Sequence, residues 1–404
     1  MKTIISAVAI IMMLIIGSMS IASCGSGGGN GRGSGDNAPS DDDMSFDDDI
    51  ADDDSTDDDS TVDDDATDDD ASDDDSDDDT ADYDYIAVEG QIRGIVHAPS
   101  GSIIYCADVK NNRILILDTA QSAITGTIEV GSRPTDLDVN PAGTRLWVAT
   151  SGASAVTYAN LSSKETGQVN LSYPPVGIAV GGAGKVYVIE EDGSIGIIDE
   201  ENQTLINEVD GLGEDILDPT FIEIDRTSNW GYLANSGLSP STLIRVDLNS
   251  DDLTVLDSDE FGSLGSNGFS LSLAPNGESL VFPNGSGQGT GYFVYLLDAT
   301  DFTHILGEFD IGTYPEFMEY DPLGAFIAGI NADPSDKRLY IMNLETFLPI
   351  KVIDVTEWIN ANSPNADLLL LRSNADGSVL AMYAEDTYAD IGGYLYLIHR
   401  EKLF

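Results

Sequence analysis

A turn signal recurs seven times along this chain, and each copy lies between two short apolar segments. The copies follow one another at intervals of 41 to 53 residues. The clearest copy lies within residues 133–171, which read as four short strands joined by tight turns. Self-similarity at such an interval indicates a repeat architecture. The turn signals are Ala98–Gly101, Asn140–Gly143, Gly181–Gly184, Asp225–Ser228, Ala274–Gly277, Asp321–Gly324 and Asn374–Gly377.

The last copy differs from the others because no fourth strand follows its third strand. In the first six copies the third strand ends in Asp or Asn, whose side chains cap the following turn. In the seventh copy His399 takes that place. Tyr83–Gly90 precedes the first copy and resembles the other fourth strands, so we expect it to pair with Leu395–His399. The chain is therefore predicted to be all-β, with residues 83–404 forming a seven-bladed β-propeller closed by its amino-terminal strand.

An open β-sandwich is the alternative arrangement for a chain of many short strands. It does not explain why there are seven copies, or why the last copy lacks one strand. Closure of the ring explains both, and it leaves few exposed strand edges.

The repeat resembles the YVTN-type propeller repeats of bacterial surface and periplasmic proteins. Pro134–Thr150, PTDLDVNPAGTRLWVAT, and Pro175–Val180, PVGIAV, carry the resemblance most clearly. It extends over residues 85–404 and is strongest in the first three blades. The fourth turn lacks the usual Gly, and Trp147 or Phe282 stands where Tyr is usual. The resemblance implies the propeller fold, in a family whose members act as binding proteins, as scaffolds and occasionally as lactone hydrolases.

The first 23 residues have the form of a signal peptide, with one early charge and an apolar run from Ile4 to Ile16. Ile21–Cys24 resembles the lipobox of bacterial lipoproteins, which implies that Cys24 is acylated and becomes the first residue. An ordinary signal peptide with a chance Cys is the alternative. Gly25 follows the Cys where an Asp would retain some lipoproteins at the inner membrane, so we expect an outer-membrane location, on the periplasmic face or the cell surface.

Residues 24–82 are predicted to be a disordered linker. A Gly/Ser-rich part is followed by eight Asp triplets between Asp41 and Asp79, with few apolar side chains to bury. Like charges repel one another and extend such a segment. The triplets lack the Gly and the bidentate Glu of an EF-hand calcium loop, so we interpret the segment as a solvated spacer between the anchor and the propeller.

The charge of the chain excludes several classes of partner. The net charge is −55: the linker region Gly25–Asp84 carries −26, residues 85–404 carry −30, and Lys2 contributes +1. We expect no nucleic-acid partner, because binding would require a basic patch. The chain has two cysteines, which exclude a disulfide framework, and Cys106 lies in an apolar strand.

When the seven repeats are aligned on their turn signals, one position in the first strand departs from the pattern. Four of the seven residues in this column are charged, where small residues are usual. Unpaired charges are costly in a dry interior. These side chains are therefore expected to line a wet channel, to pair with Arg372 as the counter-ion, or to hold a divalent cation such as Ca²⁺ on Asp138, Glu223 and Glu319. The column reads Val96, Asp138, Ala179, Glu223, Ser272, Glu319 and Arg372.

Catalytic motifs are weak in this sequence. His97, His304 and His399 fall in three different blades, and Gly285–Gly291 leads into a strand and not into a helix. No catalytic residue is assigned. The connections between second and third strands lengthen in blades four to seven, which indicates a binding face.

The sequence therefore supports a lipid-anchored, extracytoplasmic, monomeric propeller that binds an envelope protein or a small ligand through its loop face, without a cofactor. The alternative is a lactonase-like or esterase-like hydrolase with a divalent cation in the channel. A third hypothesis is a wall-associated structural protein with cation-bridged acidic tails.

Overall fold

A computed structural model describes residues 83–404, except for 211, 213–218, 236–240, 260–267, 285–291, 332, 334–336, 364 and 387–391. The predicted signal peptide, Cys24 and the Asp-rich linker lie outside the described residues. So does Gly285–Gly291, together with most of the lengthened connections of blades four to seven. Among the described helices, none has the length and apolar character needed to cross a bilayer.

The described residues form seven antiparallel four-stranded sheets, one for each copy of the repeat. The first strand of the described residues, β1 (Tyr83–Val88), is not part of the sheet that follows it in the sequence. Blade 1 contains β2 (Ile92–His97), β3 (Ile103–Asp108), β4 (Arg113–Asp118) and β5 (Ala123–Glu129). Blade 2 contains β6 (Pro134–Val139), β7 (Arg145–Thr150), β8 (Ala155–Asn160) and β9 (Thr166–Asn170). Blade 3 contains β10 (Pro175–Val180), β11 (Lys185–Glu190), β12 (Ile195–Asp199) and β13 (Thr204–Val209).

The later blades repeat this order, with a short first strand in blade 5. Blade 4 contains β14 (Pro219–Asp225), β15 (Trp230–Asn235), β16 (Leu243–Asp247) and β17 (Thr254–Ser258). Blade 5 contains β18 (Ser272–Leu273), β19 (Ser279–Asn284), β20 (Phe293–Asp298) and β21 (Asp301–Phe309). Blade 6 contains β22 (Pro315–Tyr320), β23 (Ile327–Asn331), β24 (Arg338–Met342) and β25 (Pro349–Asp354). Blade 7 contains β26 (Ala366–Ser373), β27 (Val379–Asp386) and β28 (Gly393–His399).

Blade 7 is completed by β1, which pairs antiparallel with β28 from Tyr83 opposite Ile398 to Val88 opposite Gly393. The sequence prediction of a ring closed by the amino-terminal strand is therefore confirmed. The first strand of each blade also contacts the first strand of the next blade around the whole ring. The last of these contacts, between β26 of blade 7 and β2 of blade 1, closes the ring. These seven strands surround the central channel.

The core consists of apolar layers between successive blades. The middle strands of each blade are buried on both faces, as in β7, where Leu146, Trp147 and Val148 have no exposed surface. Cys106 is likewise fully buried, and burial raises the pKa of its thiol to about 12, as expected for an inert thiol. Close packing of the blades also explains a glycine of the repeat. A Cβ on Gly177 would lie 2.8 Å from the carbonyl oxygen of Thr220 in the next blade.

The turns between first and second strands need one residue with positive φ. Glycine supplies it in six copies, for example Gly143 at +66° and Gly184 at +70°. The fourth copy, which lacks the Gly, uses Asn229 at +60° instead. Asn tolerates the left-handed conformation better than most residues, so the departure in sequence leaves the turn intact.

Two short helices among the described residues were not predicted from the sequence. Helix α1 (Thr356–Asn362) connects blades 6 and 7, and helix α2 (Arg400–Leu403) follows β28. Trp358 of α1 stacks on Tyr83 of β1 with ring centroids 4.3 Å apart. The helix therefore covers the point where the ring closes.

Closure of the ring by β1 predicts how truncation at the amino terminus changes the thermal stability of the protein. A chain that begins at Tyr83 should unfold at the same temperature as one that begins at Cys24, because β1 is intact in both. A chain that begins at Gln91 loses β1 with its buried Val88, and its Tm should fall by more than about 5 °C. Thermal unfolding followed by circular dichroism measures this, and equal Tm values for all three chains would contradict closure by β1.

Candidate functional site in the channel and on the loop face

The charged column predicted from the sequence lies on the strands that surround the channel. Asp138 is on β6, Glu223 on β14, Glu319 on β22 and Arg372 on β26. The charges of Glu223, Glu319 and Asp138 all act on Arg372, so the four side chains share one electrostatic environment. The uncharged members are Val96 on β2, Ala179 on β10 and Ser272 on β18.

Arg372 joins three neighbouring blades. Its Nη1 donates to Oε2 of Glu319 in blade 6 at 3.0 Å, and its Nε donates to the carbonyl oxygen of Ile95 in blade 1 at 3.1 Å. The Glu319 side chain is only 8% exposed. Arg372 therefore compensates a buried carboxylate and at the same time ties the last blade to the first.

Asp138 makes an equivalent connection on the other side of the ring. Its Oδ2 accepts the backbone N–H of Val180 in blade 3 at 2.8 Å and the Nη2 of Arg226 in blade 4 at 3.0 Å. Arg226 also donates through Nε to the carbonyl oxygen of Val180 at 2.8 Å. Arg226 lies in the turn that lacks glycine, and sequence analysis did not identify it as a partner of Asp138.

Side chains at two levels of the channel accept backbone N–H groups from the next blade. Asp136, two residues before Asp138, accepts the N–H of Ile178 at 2.9 Å. Ser270 and Ser272 of blade 5 accept the N–H groups of Met318 and Tyr320 of blade 6 at 3.1 and 3.2 Å. The first strand of each blade is a sheet edge, so these donors would otherwise remain unpaired. The polar residues of the channel therefore act as ties between blades.

Glu223 is the charged member of the column for which the described residues show no such tie. Confinement in the channel, with further negative charge from Glu319 and Asp138, raises its pKa to about 8 although Arg372 opposes the shift. Burial also raises the pKa of Asp136, to about 6. Carboxyl groups with raised pKa values carry a proton over part of the neutral range.

A metal site is not apparent in the part of the chain that the structure describes, which contains no group of three or more His, Cys, Asp or Glu side chains placed to hold an ion. The three histidines lie apart, in blades 1, 5 and 7, as predicted. His97 contacts the carbonyl oxygen of Ala98, while His304 and His399 lie beside Asp298 and Asp84. The channel calcium ion and the hydrolase remain hypotheses from the sequence.

A second polar column, which sequence analysis missed, lies at the end of the second strand of each blade: its member is the last residue of that strand in blades 1 to 6 and the last but one in blade 7. All seven side chains are buried, and several of them accept hydrogen bonds from backbone N–H groups of the loop face. Glu385, for example, accepts hydrogen bonds from Arg93 Nη1 at 2.5 Å and from Gln91 Nε2 at 2.9 Å. The signal was a polar residue at the end of each apolar second strand. The column consists of Asp108, Thr150, Glu190, Asn235, Asn284, Asn331 and Glu385.

The loop face also carries exposed tyrosines. Tyr173 is 48% exposed and Tyr314 is 43% exposed, and both lie in connections from a fourth strand to the next first strand. The ring of Tyr314 lies 4.8 Å from that of Tyr292. In the same connection Thr313 donates to Asp333 at 2.6 Å, so the two kinds of connection meet on one face. This arrangement agrees with the loop face expected from the sequence.

Comparisons with known proteins identify the fold and not the activity. No protein-family model matches the chain, and no curated protein matches it. Among solved structures it is similar to hydrazine synthase from Kuenenia stuttgartiensis, with a TM-score of 0.62 and 14% sequence identity. The similarity covers 78% of this chain and 97% of that one. The fold is a seven-bladed β-propeller.

The ion pair in the channel predicts a measurable loss of stability. Arg372→Met should destabilise the protein by about 3 kcal/mol, because it leaves the buried Glu319 carboxylate without its cation. The double variant Arg372→Met/Glu319→Gln should recover most of that loss. Chemical denaturation measures the free energy of unfolding, with Arg133→Met, at an exposed arginine, as the control. A double variant no more stable than Arg372→Met alone would refute the pairing.

Proposed function

We propose that this chain is a binding or scaffold protein of the bacterial cell envelope, held by a lipid on Cys24 and acting through the loop face of its propeller. The partner is an envelope protein or a small ligand that contacts the connections of blades four to seven and the tyrosines beside them. No catalytic role is assigned to the channel.

One observation carries this proposal more than any other: two tyrosines are exposed on the loop face, while most channel charges are engaged in ties between blades. Tyr173 and Tyr314 are exposed there. Tyrosine combines a large apolar area with a hydrogen-bonding hydroxyl group, and it is enriched where proteins contact partners. In contrast, Asp138, Glu319 and Arg372 are already paired within the protein.

The proposals of a lipid anchor and of an extended linker rest on features of the sequence. The lipobox resemblance at Ile21–Cys24 and the YVTN-type repeat both support a bacterial envelope location. Roughly 60 extended residues of linker span up to about 200 Å. A spacer of this length would let an anchored propeller reach partners well away from the membrane surface.

The loop face can be tested by photo-crosslinking in cells. A full-length chain with benzoyl-phenylalanine at position 314 should form a specific crosslinked product, because this side chain is placed at the contact surface. The control carries the same group at position 323, in the turn between β22 and β23, where Leu323 is 64% exposed. A product that forms equally well from both positions would argue against the loop face as the binding surface.

The anchor can be tested with the two cysteines of the chain. Cells fed an alkyne-tagged fatty acid should label the wild-type protein. The Cys24→Ala variant should lose the label and leave the membrane fraction, whereas Cys106→Ala should keep both, because Cys106 is buried in blade 1. Retention of the label in Cys24→Ala would show that the lipid is attached elsewhere, and an unlabelled wild-type protein would show that it is absent.

A further inference from the structure

Two carboxyl groups of blade 3 meet at the loop face. Glu190 ends β11 and is 1% exposed, and Glu208 lies on β13. Between them, on β12, Gly196 pairs with Val188 on one side and with Glu208 on the other. A Cβ on Gly196 would lie 3.2 Å from Oε1 of Glu190. The absence of a side chain at Gly196 therefore opens the space in which the two carboxyl groups approach each other.

The same two groups hold the connection that enters blade 3. Oε2 of Glu190 accepts the backbone N–H of Tyr173 at 2.7 Å. Glu208 accepts the N–H of Ser172 at 2.7 Å through Oε1 and the hydroxyl of Ser172 at 2.6 Å through Oε2. Two successive residues of the loop face are thus held by two different carboxyl groups.

A proton is needed to complete this arrangement. Oε1 of Glu190 is sealed from solvent, and no donor in the described part of the chain reaches it. Glu208 is the cross-strand partner of Gly196, so its side chain lies on the same face of the sheet as this oxygen and within reach of a hydrogen bond to Glu190. Two ionised carboxylates cannot form such a bond, so the contact requires one shared proton, as in other carboxyl pairs.

We propose that the Glu190–Glu208 pair is a proton-dependent latch that holds Ser172 and Tyr173 on the loop face and releases Ser172 when the shared proton is lost. With the proton present, each carboxyl group keeps its backbone partner. Without it, two like charges meet in a buried space, and Asp192 adds a third negative charge nearby. Glu208 is half-buried, so it is the group that can move towards water, and Ser172 then loses both of its bonds.

The pH range follows from the direction of the shift. Burial, followed by the charges of Glu208 and Asp192, raises the pKa of Glu190 to about 7. A carboxyl group with a raised pKa stabilises the folded arrangement while it is protonated, and the stabilisation is lost as the pH rises through that value. The latch is therefore closed near pH 6 and open near pH 8.

Hydrogen–deuterium exchange of the full-length protein tests the latch directly. After correction for intrinsic exchange, the amide of Ser172 should lose at least about tenfold protection between pH 6 and pH 8, the factor that corresponds to one pKa unit. The amide of Arg133 is the internal control. It occupies the equivalent connection of blade 2 and donates to Oδ1 of Asn112, which does not titrate, at 2.9 Å.

Two variants separate the latch from a general effect of pH. In Glu190→Gln the side-chain amide can donate to Glu208 at every pH, so protection of Ser172 should no longer depend on pH. Glu208→Gln should give the same result with the donor reversed. Unchanged protection in the wild type between pH 6 and pH 8, or a wild-type pH response in both variants, would overturn the proposal.

A regulatory role for the latch rests on the proposed function, because it assumes that Tyr173 contacts a partner. Crosslinking from position 173 should then change between pH 6 and pH 8, while crosslinking from position 314 should not. Exchange is measured on the free protein, so a failed latch and a failed binding face give different results. A pH-dependent exchange without any crosslinked product would leave the latch standing and would refute the binding face.

Discussion

The unpaired edge of the strands that line the channel is the constraint on which this ring depends. Each blade ends at the centre in a first strand with one free edge, and seven such edges face a narrow space. Asp136, Asp138, Ser270 and Ser272 satisfy such edges at two of the seven junctions by accepting N–H groups of the next blade. At the junction of blades 7 and 1, Arg372 donates to a backbone carbonyl group. At these junctions the polar residues of the channel therefore satisfy backbone groups without any ligand.

This constraint offers an explanation for the charged column that does not involve a bound metal. A carboxylate that accepts a backbone N–H is stabilised without a metal, and Arg226 and Arg372 neutralise two of the charges as well. Glu223 has no such partner among the described residues, and burial together with the negative charge around it raises its pKa. Glu223 therefore differs from Asp138 and Glu319 in having no cation or backbone N–H bonded to it in the described part of the chain.

The fold was predictable because it follows from local signals that recur seven times. Turn residues, strand length and the missing last strand were enough to identify the blades and the closure by β1. The partners of the charged residues were not predictable in the same way. Arg226 reaches Asp138 from two blades further on, and Glu190 meets Glu208 only because Gly196 lies between them on β12. Such contacts depend on side-chain reach across strands and blades, which a repeat alignment does not contain.

The two polar columns have different structural roles. The channel column joins blade to blade, so a change there is expected to affect the stability of the whole ring. The column at the ends of the second strands joins each blade to the connections of the loop face, as Glu385 does through Gln91 and Arg93. Its members are Asp, Glu, Asn and Thr, and of these only the carboxyl groups respond to pH near neutrality when they are buried together. Blade 3 contains such a pair, and a proton can therefore change the loop face there while the ties in the channel remain intact.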